Sequence, residues 1–144
     1  MTSVRSAECG VRSEKPKADL SDLLGKTFRY GGRGPLEYDC YGLCMEIYRR
    51  RGLEIPEFGS AILPSVINKM VASGREAFVA IEKPEPFCLV LFRIHPRYVS
   101  HIGVVLEDGV RFIHIMAKSR VTIERLDGII WKNKIAGYLK YETA

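Results

Sequence analysis

The apolar residues of this chain change their spacing once, and that change constrains the fold more than any other feature. Cys40, Leu43, Cys44, Ile47 and Tyr48 follow one another at i, i+3, i+4, i+7 and i+8, the spacing of a single buried helix face. Asp39 in front of them is a natural N-cap, and Gly52 behind them a natural stop. From Phe78 onward the apolar runs are short and β-like. Phe87 to Arg93, His101 to Glu107, Val110 to Ala117, Arg120 to Glu124 and Ile135 to Tyr141 read as strands. Asp108-Gly109 between two of them is a hairpin signal. A helical layer followed by antiparallel strands predicts an α+β fold, with N-terminal helices packed on a central antiparallel sheet.

The rest of the chain fits around this frame. A short helix is expected from Asp19 to Leu24, capped by Asp19 or Ser21, and a second from Leu63 to Ala72, ahead of Gly74. Gly31-Gly32-Arg33-Gly34-Pro35 reads as a loop. Residues 1–18 are polar and charged and read as a flexible or partner-ordered tail, leaving 19–144 as a single domain. A length of 144 residues fits one core, and 47% hydrophobic with 27% charged residues excludes a disordered chain. The longest apolar run, Phe87 to Phe92, has strand length, so no membrane insertion is expected. The first residues, Met1 to Glu8, hold no apolar core of a secretory signal, so the expectation is synthesis in the cytoplasm. In that compartment Cys9, Cys40, Cys44 and Cys88 are expected to stay reduced. The net charge of +5 favours anionic partners, but the charges are scattered. The densest run, Arg49-Arg50-Arg51, reads as a solvated helix end. No nucleic-acid motif is present, and no nucleic-acid partner is expected.

Three residues carry the chemistry. Cys40 opens the helix, where free N–H groups and the helix dipole favour a negative sulfur, so its thiol pKa is expected below the free value of about 8.5. His101 begins a strand and is the candidate base. A turn at Asp108-Gly109 sets residues 103 and 114 opposite one another, which brings His114 near His101 as the residue that orients its ring. Cys44 reads as core and His95 as a surface residue. A zinc site of Cys40, Cys44, His101 and His114 is disfavoured, because Cys-x-x-x-Cys on one continuous helix lacks the turn of zinc knuckles. No metal and no cofactor are expected.

In order and spacing these residues resemble the NlpC-type cell-wall cysteine peptidases, a papain-like family. The family pattern runs Tyr-x-Trp-Gly-Gly, Asp-Cys-Ser-Gly-Leu, an apolar strand after Gly-Asp-Leu, His-Val-Gly, and a polar residue on the next strand. Here it reads Phe28-Arg29-Tyr30-Gly31-Gly32, Asp39-Cys40-Tyr41-Gly42-Leu43, Phe87 to Phe92, His101-Ile102-Gly103 and His114. The resemblance covers residues 25–117. It implies a papain-like NlpC-type fold and a peptidoglycan endopeptidase that cleaves stem-peptide amide bonds, with Cys40 as nucleophile, His101 as base and His114 as orienting residue. Asp39, Tyr41 and Tyr30 are the residues expected to contact substrate. Two positions depart from the pattern. Phe28 stands where the family has a tyrosine hydroxyl, leaving Tyr30 or Tyr41 to supply one, and Tyr41 stands where the family has serine. The bulky aromatic after the cysteine, and the ending from Trp131 to Gly137-Tyr138, resemble the phage-tail and prophage members. That implies a virion component with other tail-tip proteins as partners. The competing expectations are a catalytically weak or inactive structural plug of a phage tail tip and, ranked last, a papain-like acyltransferase or amidase.

Overall fold

The computed structural model describes residues 19–57 and 78–142. The expected tail 1–18 and the expected helix Leu63 to Ala72 lie outside the described residues. Asp19 takes the Ser21 N–H and hydroxyl on its carboxylate and opens a short 3₁₀ turn, Ser21–Leu23. Two short strands follow, β1 (Thr27–Phe28) and β2 (Glu37–Tyr38), paired in parallel around the glycine loop. Helix α1 spans Cys40–Arg50. Asp39 caps it, its Oδ1 accepting the Gly42 N–H at 2.6 Å. Gly52 takes φ +80 just past its end, a conformation only glycine adopts without strain.

Six strands make the main sheet: β3 (Phe78–Ile81), β4 (Leu89–Phe92), β5 (His101–Val105), β6 (Arg111–His114), β7 (Thr122–Arg125) and β8 (Ile135–Tyr141). Their order is β3-β8-β4-β5-β6-β7, and every pairing is antiparallel. The fold is mixed α+β, with one α-helix among the described residues. Three strands are shorter than their apolar runs. At β4, Phe87 turns to φ 65 and Cys88 N–H bonds back to Glu85 C=O, so the ladder starts at Leu89. The run through β6 stops at His114 because Ser119 N–H closes a turn onto Met116 C=O, with Lys118 at φ 63. At the end of β5, Leu106 leaves the strand to form the Asp108-Gly109 turn.

The sheet is buried on both faces. Leu89, Leu91, Ile102, Val104, Ile113 and Ile115 pack with Leu43, Cys44 and Ile47 of α1. The alternate residues Val90, Phe92, Val105 and Phe112 pack on the other side with Leu126 and Trp131. This is why strands β4 and β5 read as continuous apolar runs rather than alternating ones. The arginine run at the helix end is more engaged than a solvated end would be. Arg49 and Arg50 both pair with Glu46, Arg50 also grips Asp22 with two bonds, and the Arg51 guanidinium lies 4.0 Å over the Phe87 ring. The Tyr48 hydroxyl donates to Phe87 C=O at 2.5 Å, so the far end of α1 is tied to the bend that starts β4.

Candidate active site

The site forms where the start of α1 meets the start of β5. Asp39 holds the helix tip in place. Besides capping Gly42, it accepts from Arg33 Nη1 at 2.8 Å and from the Gly31 N–H at 3.2 Å. The glycine loop is thereby drawn over the helix. A side chain on Gly42 would collide with the Gly32 carbonyl, so glycine here is a packing requirement. Cys40 is the first residue of the helix and is half-buried.

On the sheet side, β5 and β6 pair only through Val104–Ile113 and Val105–Phe112. Beyond them the ladder ends, and the Ile102 N–H lies close enough to the Cys40 sulfur to favour its charged form. The thiol therefore lies against the residue that follows His101. Gly103 and His114 face each other as the hairpin arithmetic requires: a Cβ on Gly103 would lie 3.1 Å from the His114 Cβ. His101 Nε2 and His114 Nδ1 are 2.8 Å apart, and the two residues are 4% and 1% exposed. Trp131 stands edge-on to His114 at 4.8 Å and, with Phe92 and Phe112, closes the back of the pair.

Electrostatics correct one expectation. The Cys40 thiol is not lowered. Loss of water around it pushes it up to about 12, and the Asp39 carboxylate adds to this. The N–H groups of Ile102, Tyr41 and Cys40 pull in the expected downward direction but do not prevail. Burial lowers His101 to about 3, and the neighbouring His114 adds to the shift. Burial also lowers His114, against the opposing hydrogen bond that its ring donates to Glu124. All three shifts favour the neutral thiol and the neutral imidazoles in the resting site.

Of the three residues expected at the substrate, Tyr30 is open to solvent at 76% exposure and meets Phe28 edge-on at 4.8 Å. Asp39 is engaged in the helix cap and the loop. Tyr41 turns inward: it is 3% exposed, and its hydroxyl donates to Pro56 C=O at 2.5 Å. A residue following an N1 cysteine points a helical step away from it, and here that direction is the core. Cys44 is fully in the core, and His95 lies in the loop before β5, stacked on Tyr98. Two residues of the site went unnoticed in the sequence. Glu124 on β7 places Oε2 2.8 Å from His114 Nε2, and Trp131 Nε1 donates to Glu124 Oε1 at 2.8 Å. The signal for Glu124 was strand alternation. It shares a sheet face with Phe112, its register partner, and so with His114 two residues along.

A profile of the NlpC/P60 family matches residues 25–140. Among curated proteins, the probable endopeptidase p60 of Listeria innocua is 23% identical over 121 residues, covering 84% of this chain and 23% of that protein. Its Listeria monocytogenes counterpart is also 23% identical, with 84% and 22% covered. The chain thus spans about a quarter of the length of the curated relatives it matches. Among solved structures, an NlpC/P60 family protein from Bacillus cereus superposes with a TM-score of 0.64 at 24% identity, over 89% of this chain and 41% of that one. NlpC2 from Trichomonas vaginalis gives 0.65 at 18% identity, over 86% and 45%. These structures share the fold.

Proposed function

The chain belongs to the NlpC/P60 family, and from that membership we propose that it is a cysteine peptidase cleaving amide bonds in peptidoglycan stem peptides. The observation that carries this reading is the Cys40 sulfur at a helix tip, next to the start of the strand that holds one of a hydrogen-bonded pair of buried histidines. His101 Nε2 is occupied by His114, which leaves Nδ1 as the nitrogen to receive a proton. As the Cys40 sulfur attacks the scissile carbonyl, His101 takes the thiol proton. The carbonyl oxygen, now negative, is met by backbone N–H groups at the helix start. Collapse of the tetrahedral adduct breaks the C–N bond, and His101 returns the proton to the leaving amine. Water, deprotonated by the same imidazole, then hydrolyses the thioester. A neutral resting pair means that proton transfer accompanies attack instead of preceding it. The names of the Listeria relatives support the peptidase reading.

Digestion of purified peptidoglycan tests this directly. Wild type releases stem-peptide fragments, and Cys40→Ala releases none. Equal release by both would overturn the assignment.

The finer reading is a phage-tail component that acts on the host wall, supported by the aromatic Tyr41 behind the cysteine and the ending from Trp131 to Tyr138. Immunogold labelling of tail tips tests it. A second reading is an inactive structural plug of the tail tip. It is favoured by Phe28, which offers no hydroxyl, and by Tyr41, whose hydroxyl is bound to Pro56. Intact tails assembled with Cys40→Ala protein that retains full wall-degrading activity would favour the plug.

A further inference from the structure

The geometry points to Glu124 as a positioning residue that sets which nitrogen of His101 is free to accept the thiol proton. Trp131 fixes the direction of the first bond, because an indole N–H can only donate. It donates to Glu124 Oε1 at 2.8 Å, and the other oxygen of the same carboxylate faces His114 Nε2 at 2.8 Å. A carboxylate only accepts, so His114 carries its proton on Nε2. A neutral imidazole has one N–H, so His114 Nδ1 is an acceptor. Its partner 2.8 Å away is His101 Nε2, which must therefore hold the His101 proton. The lone pair of His101 is left on Nδ1. The His101–His114 bond could run in either direction on its own, and it is the carboxylate that selects one.

The same logic gives a variant that reverses the chain. In Glu124→Gln the side chain must still accept the Trp131 N–H, which turns its carbonyl oxygen to the indole and its NH₂ to His114. His114 Nε2 then becomes an acceptor, its proton moves to Nδ1, and His101 in turn carries its proton on Nδ1, where no thiol proton can be received. Adding Trp131→Phe removes the indole donor and lets the glutamine oxygen turn back to His114. The reversal is then undone, although the structure has lost a hydrogen bond.

Nitrogen NMR of the imidazole rings in the folded 144-residue chain reads this without any substrate. Wild type should show both histidines protonated on Nε2, Glu124→Gln both on Nδ1, and Glu124→Gln/Trp131→Phe both on Nε2 again. The kinetic half rests on the peptidase reading. On a stem peptide, kcat should fall by on the order of a hundredfold in the single variant with KM unchanged, and recover in the double variant. Identical proton positions in all three proteins, or a wild-type His101 protonated on Nδ1, would overturn the assignment. A double variant slower than the single one would also overturn it, since loss of packing alone gives that order. Wild type with the NMR pattern intact but inert toward peptidoglycan would support the positioning and count against the peptidase reading.

Discussion

Cys40 and His101 sit in opposing fields, and their sum decides how the site rests. The helix tip and β5 together offer the sulfur three N–H groups, those of Cys40, Tyr41 and Ile102, yet desolvation outweighs them and raises the thiol, while the same burial lowers the imidazole. The proton therefore stays on sulfur until a substrate arrives. Iodoacetamide reports this, because only the thiolate reacts. Alkylation of Cys40 in the folded protein should be slower at about pH 8 than in the urea-unfolded chain, and should climb without a plateau into alkaline pH. Fast alkylation that levels off below about pH 6 would instead mean a preformed thiolate–imidazolium pair. The position of Cys40 at the helix start was readable from Asp39 and the spacing of Leu43, Cys44 and Ile47. Its protonation was not. Desolvation depends on how closely the strand at Ile102 and the rest of the fold approach the sulfur, and no local sequence pattern encodes that closeness.

At the level of elements, the hairpin of β5 and β6 fixes the two histidines, and Gly103 is what lets them approach. Its absent side chain leaves room for the His114 Cβ and the Ile113 carbonyl, each 3.1 Å from where a methyl group would sit. In Gly103→Ala the His114 ring must shift by a few tenths of an ångström. The variant should lose about 1–3 kcal/mol of stability and on the order of tenfold in kcat. Thermal unfolding and turnover per folded molecule measure the two together, and unchanged turnover would mean that the spacing of the histidines is not critical. The Asp108-Gly109 turn made this register predictable, since pairing across a tight turn is arithmetic. Glu124 escaped because β7 is joined to β6 by a turn whose geometry rests on Lys118 at positive φ, a residue with no turn signature of its own.

For the whole molecule, the sheet is buried between α1 on one side and the Trp131 cluster on the other, and the two histidines lie inside it. This gives folding a distinctive dependence on acid. His101 is lowered to about 3 and His114 is also lowered, so the unfolded chain binds protons that the folded chain refuses. Their contribution is complete above about pH 6.5 and is lost as pH falls toward the folded values. Between about pH 6.5 and 5, His101 alone should remove about 2 kcal/mol. The lowered carboxylates Asp19, Asp22, Glu46, Asp108 and Asp127 lose their contributions in a more acid window, starting from their ordinary values of 3.8 for the aspartates and 4.5 for Glu46. Urea midpoints across this range should therefore fall for wild type and stay nearly level for a His101→Gln/His114→Gln variant. Parallel curves would show that the buried histidines do not govern the acid response. The two-layer arrangement was visible in the change of apolar spacing at Phe78. The second buried face was less so: Trp131 and Leu126 lie in a segment with neither helical nor strand period, and they cover the sheet only through tertiary folding.

A cysteine peptidase of this geometry turns over only if Cys40 forms a covalent bond to the substrate acyl group. A stem peptide mixed with excess enzyme, stopped in acid after a fraction of a turnover and measured as intact protein followed by peptide mapping, tests that bond itself. The predicted result is a mass increase equal to the acyl half of the peptide, mapped to Cys40 and absent from Cys40→Ser/His101→Ala protein. Cleavage of the peptide with no adduct on Cys40, or an adduct on another residue, would contradict it.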